Sequence, residues 1–495
     1  MSARFRRLVR PVVLGLALCA CHAQERPPER AADAIDIYDD LFSVSVVDAR
    51  RAVAAGYHGS VYVTRDGGAS WFRGRTPTRR ALYSVSMADA QSGWAVGQRG
   101  TILRSEDGGA SWAEQASPRS EEGRHLFGVY ALDGERAWAV GEWGARLFTE
   151  DGGRSWQDRS LVVDIRHPLF EWLGVAEQER VLRGERVYED VALHHVSCLD
   201  ADASRCWIAG EFGTLLYTGD GGRRWGRGEI VAELEMDSIP FAHDESEPPE
   251  AAKKRLAAFA ERIADVGQQN VLLEPFVSAE EVAELYDARD PTGLFELLAA
   301  RLEEVETRLE DAGIPAERLR SPHSPPWDYP ELGADDPDHL ERYVAGRTAV
   351  MPQVRVVALQ SPVLFSVRFE NASDGLAAGL GGVLLRSSDG GRSWVHTSAR
   401  GREALFSVAV GEGGAVAVGE NGLMRISRDG GTRWSAPSAG DFPRFYGFMR
   451  DLGFDPSRRT GFAIGQGGTI LRSLDGGTRW ARVLPPRDDP ADHGL

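Results

Sequence analysis

The stretch Trp94-Ala-Val-Gly-Gln-Arg-Gly-Thr-Ile-Leu-Arg-Ser-Glu-Asp-Gly-Gly-Ala-Ser-Trp112 decides how this chain folds. A short apolar strand, Trp94 to Val96, runs into a Gly97-x-x-Gly100 turn. A further strand from Thr101 to Arg104 then runs into the eight-residue turn Ser105-x-Asp107-Gly-Gly-x-x-Trp112. Each residue type has a physical use there. The Ser hydroxyl and Asp carboxylate can accept backbone N–H bonds within a hairpin. Paired glycines supply positive φ at no steric cost, and the Trp offers a large ring to bury between neighbours.

Working outward, the turn Ser/Thr-x-Asp-Gly-Gly-x-x-Trp recurs seven times, starting at Thr64, Ser105, Thr149, Thr218, Ser387, Ser427 and Ser473. Its aspartates are Asp66, Asp107, Asp151, Asp220, Asp389, Asp429 and Asp475, and its tryptophans Trp71, Trp112, Trp156, Trp225, Trp394, Trp434 and Trp480. A Gly-x-x-Gly turn opens eight residues before each copy. Upstream of that, Leu82 to Met87 reads as an alternating strand, with counterparts at Leu41, Leu126, Leu364 and Leu405, and a fourth strand is expected from each box Trp. Four short strands per unit of roughly 40 residues is the signature of a propeller blade. The expected fold is all-β: a seven-bladed β-propeller of Asp-box repeats, with a helical insertion between blades four and five.

In this combination the chain resembles Asp-box (BNR) propellers, and among them the photosystem II stability/assembly-factor-like family. Trp94 to Trp112 and Trp138 to Trp156 carry that resemblance most fully, and it extends over about Leu41 to Leu484 outside the insertions. The resemblance implies a non-catalytic propeller that binds or helps assemble other proteins. Family members in photosynthetic organisms bind a photosystem subunit, and similar domains occur in bacteria without photosynthesis, so no photosystem partner is expected from the match alone.

Box starts are separated by 41, 44, 69, 169, 40 and 46 residues, so two connections after a fourth strand carry extra chain. The larger is acidic: Glu229 to Ala345 holds 29 Asp plus Glu against 10 Lys plus Arg, in a chain whose total charge is −17. Its apolar spacing predicts helices at Leu256 to Val266, after the capping box Ser278-Ala-Glu-Glu281, and at Leu294 to Leu309, followed by a Pro-rich loop holding Trp327 and Tyr329. It reads equally as a solvated lid or as an acidic docking element. Arg4, Arg6, Arg7 and Arg10 precede an apolar run ending Leu18-Cys19-Ala20-Cys21, which resembles a bacterial lipoprotein signal with Cys21 acylated; an ordinary secretory signal cut near Ala23 is the other reading. The expected layout is a signal over 1–20, a tether over 21–40, blades one to four over 41–228 with an insertion near 157–193, the acidic insertion over 229–350, blades five to seven over 351–484, and a tail over 485–495. Such a protein would sit on the periplasmic side of the cell envelope as an outer-membrane lipoprotein, touching the membrane by its lipid anchor only.

The expected binding face is the ring of Gly-x-x-Gly turns, which shares a side with both insertions. Its central residues vary around the ring: Tyr57 and His58, Gln98 and Arg99, Glu142 and Trp143, Glu211 and Phe212, Leu380 and Gly381, Glu420 and Asn421, Gln466 and Gly467. Aromatic residues and Arg are the types that dominate binding hot spots, and packing against the insertions is the plainer use for them. The partner class is a protein or a membrane protein complex. The acidic charge excludes nucleic acid, which needs a basic surface. No cofactor and no metal are expected, because His194 and His195 are adjacent on a strand and point apart. Glu142, Glu211 and Glu420 keep a glycan hydrolase of the sialidase-like type as the competing class, although no arginine cluster or Arg-Ile-Pro motif accompanies them, and a structural envelope protein is a third. Cys198 and Cys206 fall on facing strands of blade four in an oxidising compartment, so they are expected to pair.

Overall fold

The computed structural model describes residues 31–483, except 32, 121, 161, 166–169, 171–172, 174, 200–203, 232–233, 236–237, 265–268, 288–291, 322–338, 361, 398–402, 439–442 and 444–445. The signal and its Cys21, most of the tether, the loop with Trp327 and Tyr329, and the tail lie outside the described residues.

Among the described residues, each Asp-box sits in its own sheet of antiparallel strands supplied by one continuous segment, and in repeat five that sheet gains an outer strand, Glu229–Ile230, which pairs parallel with Ser393–His396. The first contains Leu41–Val46, Ala52–Gly56, Val61–Thr64 and Phe72–Arg73 in sequence order. The sheet around the opening stretch contains Leu82–Met87, Gly93–Gly97, Ile102–Ser105 and Ala113–Gln115. The first strands expected at five leucines are present, and the other two begin at Leu193 and Met449, where His-His and Arg-Asp had hidden the pattern. Fourth strands start just after the box Trp in most repeats. In repeat six the fourth strand is reduced to a bridge between Ile426 and Ser435.

The first strands stand side by side around a central channel, and hydrogen bonds run from repeat to repeat there. Backbone N–H of Val85 donates to Ser43 Oγ (3.2 Å), Val129 to Ser84 (3.1 Å), Val408 to Ser366 (3.3 Å) and Leu452 to Ser407 (3.4 Å). Val367 donates to His195 Nδ1 (3.4 Å), and the ring closes where Val44 donates to Asp451 Oδ2 (2.9 Å). Farther out, each box Trp packs on the preceding repeat. Trp112 lies among Val53, Val61 and Val63, and Trp71 meets Phe462 of repeat seven edge-on at 5.9 Å.

The large insertion is not helical but mixed α/β, which corrects the expectation. Its helices Glu250–Ala264, Ala279–Leu285 and Thr292–Asp311 match the predicted ones, and Ser278 and Glu281 form the predicted capping box. They pack on a sheet whose centre pairs Gln269–Ser278 with Gln353–Gln360. Pro275 and the lack of a clear polar alternation hid the first of these strands. The second lies beyond the expected boundary at 350 and belongs to the inserted unit. Ile239, Leu256, Phe259, Ile263, Val271, Leu273, Val305, Leu309, Val354 and Val356 form a core of its own. A buried ion pair, Glu281 with Arg301, is surrounded by hydrogen bonds from Ser278 N and Asp244 N to the carboxylate and from Arg301 to the carbonyls of Ala242 and Glu245.

Candidate functional site

The two rims of the channel are chemically different. On one rim six of the seven Asp-boxes bond the hairpin between first and second strands: Gly67 N donates to Arg50 O, Gly108 N to Gln91 O, Gly152 N to Glu135 O, and Gly221, Gly390 and Gly476 do the same. The Asp-box bonds are those of a structural turn. Thr64 Oγ1 accepts from Gly68 N (2.8 Å) and donates to Asp66 Oδ1 (2.9 Å), which also accepts from Ser70 N (2.9 Å). Asp107, Asp151, Asp220, Asp389, Asp429 and Asp475 repeat the arrangement. Bonds from Ser155 hold the Asp151 carboxyl down to about 2, and in every copy the carboxylate is spent on donors of its own turn.

On the other rim the Gly-x-x-Gly turns meet the connections between repeats. Gly144 N donates to Val191 O, Gly213 N to Pro362 O and Gly422 N to Gly447 O, so the turns do share a side with both insertions. The two central turn positions divide the work. The first is a clasp: Glu142, Glu211 and Glu420 each donate their backbone N–H to the residue before the first strand and accept that residue's N–H on their carboxylate. The partners are His125 (2.8 Å), Ala192 (3.0 Å) and Ala404 (3.0 Å), and Gln466 does the same with Phe448 (3.4 Å). Each of these carboxylates locks its turn through one oxygen. Gln98 makes only the backbone half of the clasp, donating to Ala81 O, and its carbonyl accepts from Thr101 Oγ1 (2.7 Å).

The second position is left-handed in all seven turns. His58, Arg99, Trp143, Phe212 and Asn421 have φ between 51° and 57°, and Gly381 and Gly467 take the same conformation. Tyr57 and Phe212 are exposed, at 45% and 57%. Tyr57 packs edge-on against Phe42 at 4.7 Å, Arg124 lies over the Trp143 ring at 3.7 Å, and Arg99 N donates to His125 Nδ1 at 3.1 Å.

Inside this rim is a feature that sequence reasoning missed. The second residue of each first strand is skipped by the pairing register, a bulge that re-aims its side chain: Phe42, Tyr83, Phe127, His194, Phe365, Phe406 and Arg450. Consecutive ring centroids from Phe42 to Phe406 are 5.5, 5.6, 5.2, 5.4 and 5.3 Å apart. Arg450 continues the circle, its guanidinium 4.7 Å from the Phe406 and Phe448 rings. The recurring Leu-Phe/Tyr-Ser-Val phrase was the available signal. This aromatic collar opens into a channel of about 570 Å³ lined also by His195, Tyr130, Arg368 and Asp451. Burial pushes the His194 imidazole down to about 4 and that of His195 well below its ordinary value. Both are neutral near pH 7.

Cys198 and Cys206 pair directly across the first hairpin of repeat four and form a disulfide. Among the described residues there is no group of His, Cys, Asp and Glu placed to hold a metal ion, and no helix is long and apolar enough to cross a membrane.

Residues 70–168 match the family model described as Photosynthesis system II assembly factor YCF48. No curated protein matches the chain. Similar solved structures include one described as YCF48 bound to D1 peptide, 15% identical, covering 82% of each chain with a TM-score of 0.41. YCF48 from Cyanidioschyzon merolae is 15% identical over 89% of this chain and 97% of its own, with a TM-score of 0.37. The WD40 β-propeller domain of Doa1 is 8% identical over 89% and 93%, with a TM-score of 0.44. By the blade repeat, and by the family match across residues 70–168, this chain is an Asp-box propeller similar to the photosystem II assembly-factor family.

Proposed function

We propose that the chain is a non-catalytic, seven-bladed binding platform, interrupted between blades four and five by an α/β unit, which helps assemble a membrane-associated protein complex at the cell envelope. One observation carries this reading. Two of seven turns use Gly at the left-handed position, so the ring itself asks for nothing larger. Trp143, Phe212, Arg99 and His58 nevertheless occupy it, at a cost in backbone strain of order 1 kcal/mol each. Strained positions holding hot-spot residue types, gathered on the side where both insertions emerge, fit a surface selected to touch a partner. The assembly-factor description of the matching family model supports the same class. A photosystem subunit is one candidate partner, and Cys21 is the proposed point of lipid attachment, on the periplasmic face of the outer membrane.

The test is a pull-down from the native envelope with mass spectrometry, run with the chain and with its Trp143→Ala and Arg99→Ala variants, alongside thermal melting. Weaker recovery at unchanged melting supports the face. Full recovery by both variants moves the site elsewhere, and turnover of glycan substrates would favour a hydrolase. Anchoring is read separately: Cys21→Ser should release the protein from membrane fractions.

A further inference from the structure

The collar has a floor. Ser45, Ser86, Tyr130, Ser197 and Arg368 occupy the equivalent place in their strands, three residues past the collar or roughly 10 Å deeper. Arg368 is the one cation among them. Its side chain makes no hydrogen bond or ion pair among the described residues. Arg368 lines the same channel as Tyr130 of repeat three, His195 of repeat four and Asp451 of repeat seven, and its charge bears on all three. His195 and Asp451 lie one residue below the collar.

Asp451 does not neutralise it as an ion-pair partner. Its Oδ2 accepts from Val44 N (2.9 Å), while Oδ1 accepts from Ser407 Oγ (2.8 Å) and Leu452 N (2.9 Å). Those bonds spend the carboxylate on the seams between repeats and leave the donors of Arg368 facing the channel. Arg450, at the mouth, is likewise without an ion pair among the described residues and only stacks on Phe406 and Phe448. His194 Nε2 is buried with no hydrogen-bond partner. Six rings 5.2–5.6 Å apart, with Arg450 in the seventh place, describe a circle roughly 12 Å across, room for one aromatic ring or a branched alkyl group.

We propose that the channel mouth is a binding cup for a single apolar group bearing one carboxylate, with the collar of Phe42, Tyr83, Phe127, Phe365 and Phe406 around the apolar part and Arg368 as a planar fork for the carboxylate. A guanidinium on the floor of a confined channel is a stronger carboxylate donor than one in water, because the pair is charge-assisted and bidentate. The chemistry could be supplied by a free aryl or alkyl acid, or by the C-terminus of a chain ending in an apolar residue. It concerns the centre of the face proposed above and does not need the outer turn residues to act.

Calorimetric titration of the full mature chain with 3-phenylpropionate, with its primary amide, with inorganic phosphate, and with a glycine-rich peptide ending in Phe as free acid or amide tests this. The acid should bind at least roughly tenfold more tightly than the amide, and both Arg368→Gln and Phe365→Ala should weaken it by a similar factor at unchanged melting temperature. Saturation by 3-phenylpropionate alone identifies a free acid as the source; tighter binding of the free-acid peptide identifies a chain terminus. Equal binding of acid and amide, equal binding of phosphate, or Arg368→Gln binding as well as the parent would each overturn the cup. If Arg368→Gln does not fold, the acid–amide and acid–phosphate comparisons on the parent chain decide alone. Pull-down by the Trp143 and Arg99 variants reports on the outer face, so either proposal can fail without the other.

Discussion

At the scale of single residues the Asp-box is a hydrogen-bond device, and its hydroxyl matters most. Thr64 is fully buried and its oxygen is the acceptor for Gly68 N–H, in a turn where Gly68 has φ of 89° and its Cα faces Phe462. Thr64→Val keeps the shape and removes the acceptor, so a buried donor is stranded; the expected loss is about 1–3 kcal/mol in chemical denaturation. An unchanged midpoint would show that the turn's backbone holds itself. His194 poses a different question, because it stands where five other repeats place Phe or Tyr. Its imidazole is held near 4 by burial against an ordinary 6.5. Between those values the unfolded chain takes up a proton that the folded chain refuses. The stability is therefore full above pH 6.5 and is lost as pH falls toward 4, by roughly 3 kcal/mol in all. His194→Phe should keep the collar and flatten this loss. Denaturation midpoints of parent and variant at about pH 7 and about pH 4 read the difference, in which His195 cancels; parallel behaviour would mean that His194 is protonated without cost.

At the scale of elements, the inserted unit is held by its own core, and excision should follow that core. Replacing 233–360 by a short Gly/Ser linker is expected to leave the ring folded with a cooperative transition, whereas stopping the deletion at 348 strands Gln353–Gln360 and exposes Val354, Val356 and Val357. The aggregation of the two deletions, followed by light scattering, checks this; equal behaviour would mean that the strand pairs elsewhere. The boundary also shows where the sequence was legible. The repeat is read seven times over, so the sheets and the two rims were evident from Gly and Asp-box spacing. Gln269–Ser278 was not, because a lone strand beside good helices has no second copy to average against, and Pro275 argues locally against pairing. The collar went unread for a related reason: its residues alternate as if facing a partner sheet, and only the bulge turns them into the channel. Glu142, Glu211 and Glu420 were visible as a set, but their clasp depends on a backbone N–H seventeen, nineteen and sixteen residues away, which spacing alone does not reveal.

At the scale of the whole molecule, the question is what keeps a ring of self-contained sheets closed. No strand is exchanged between the first and last repeats among the described residues, so closure rests on side chains. The contacts that join the ends include the Trp71–Phe462 edge contact, the Arg472 guanidinium on Gly67 O at 2.5 Å, the Asp40 carboxylate on Gly467 N at 2.7 Å, and the Asp451 carboxylate on Val44 N. The last continues a pattern in which Ser43, Ser84, Ser366 and Ser407 each accept the N–H of the next repeat. Asp451 does more than these serines, because it also accepts from Ser407 Oγ and so ties repeats six, seven and one at a single point. Burial raises its carboxyl toward the neutral form, a cost that its hydrogen-bond donors offset in part. Asp451→Ala leaves Val44 N–H and Ser407 Oγ without their acceptor at once, and the expected loss is about 2–4 kcal/mol, from two buried polar groups left unsatisfied. Asp451→Ser restores the acceptor used by the other repeats for Val44, and should recover part of that loss while lacking the reach to serve both neighbours. Hydrogen exchange at Val44 separates closure from general weakening. If the seam is the point of closure, Val44 exchanges faster in Asp451→Ala than Val85, whose partner Ser43 is untouched; equal acceleration at both would place closure in the outer Trp71–Phe462 contact instead.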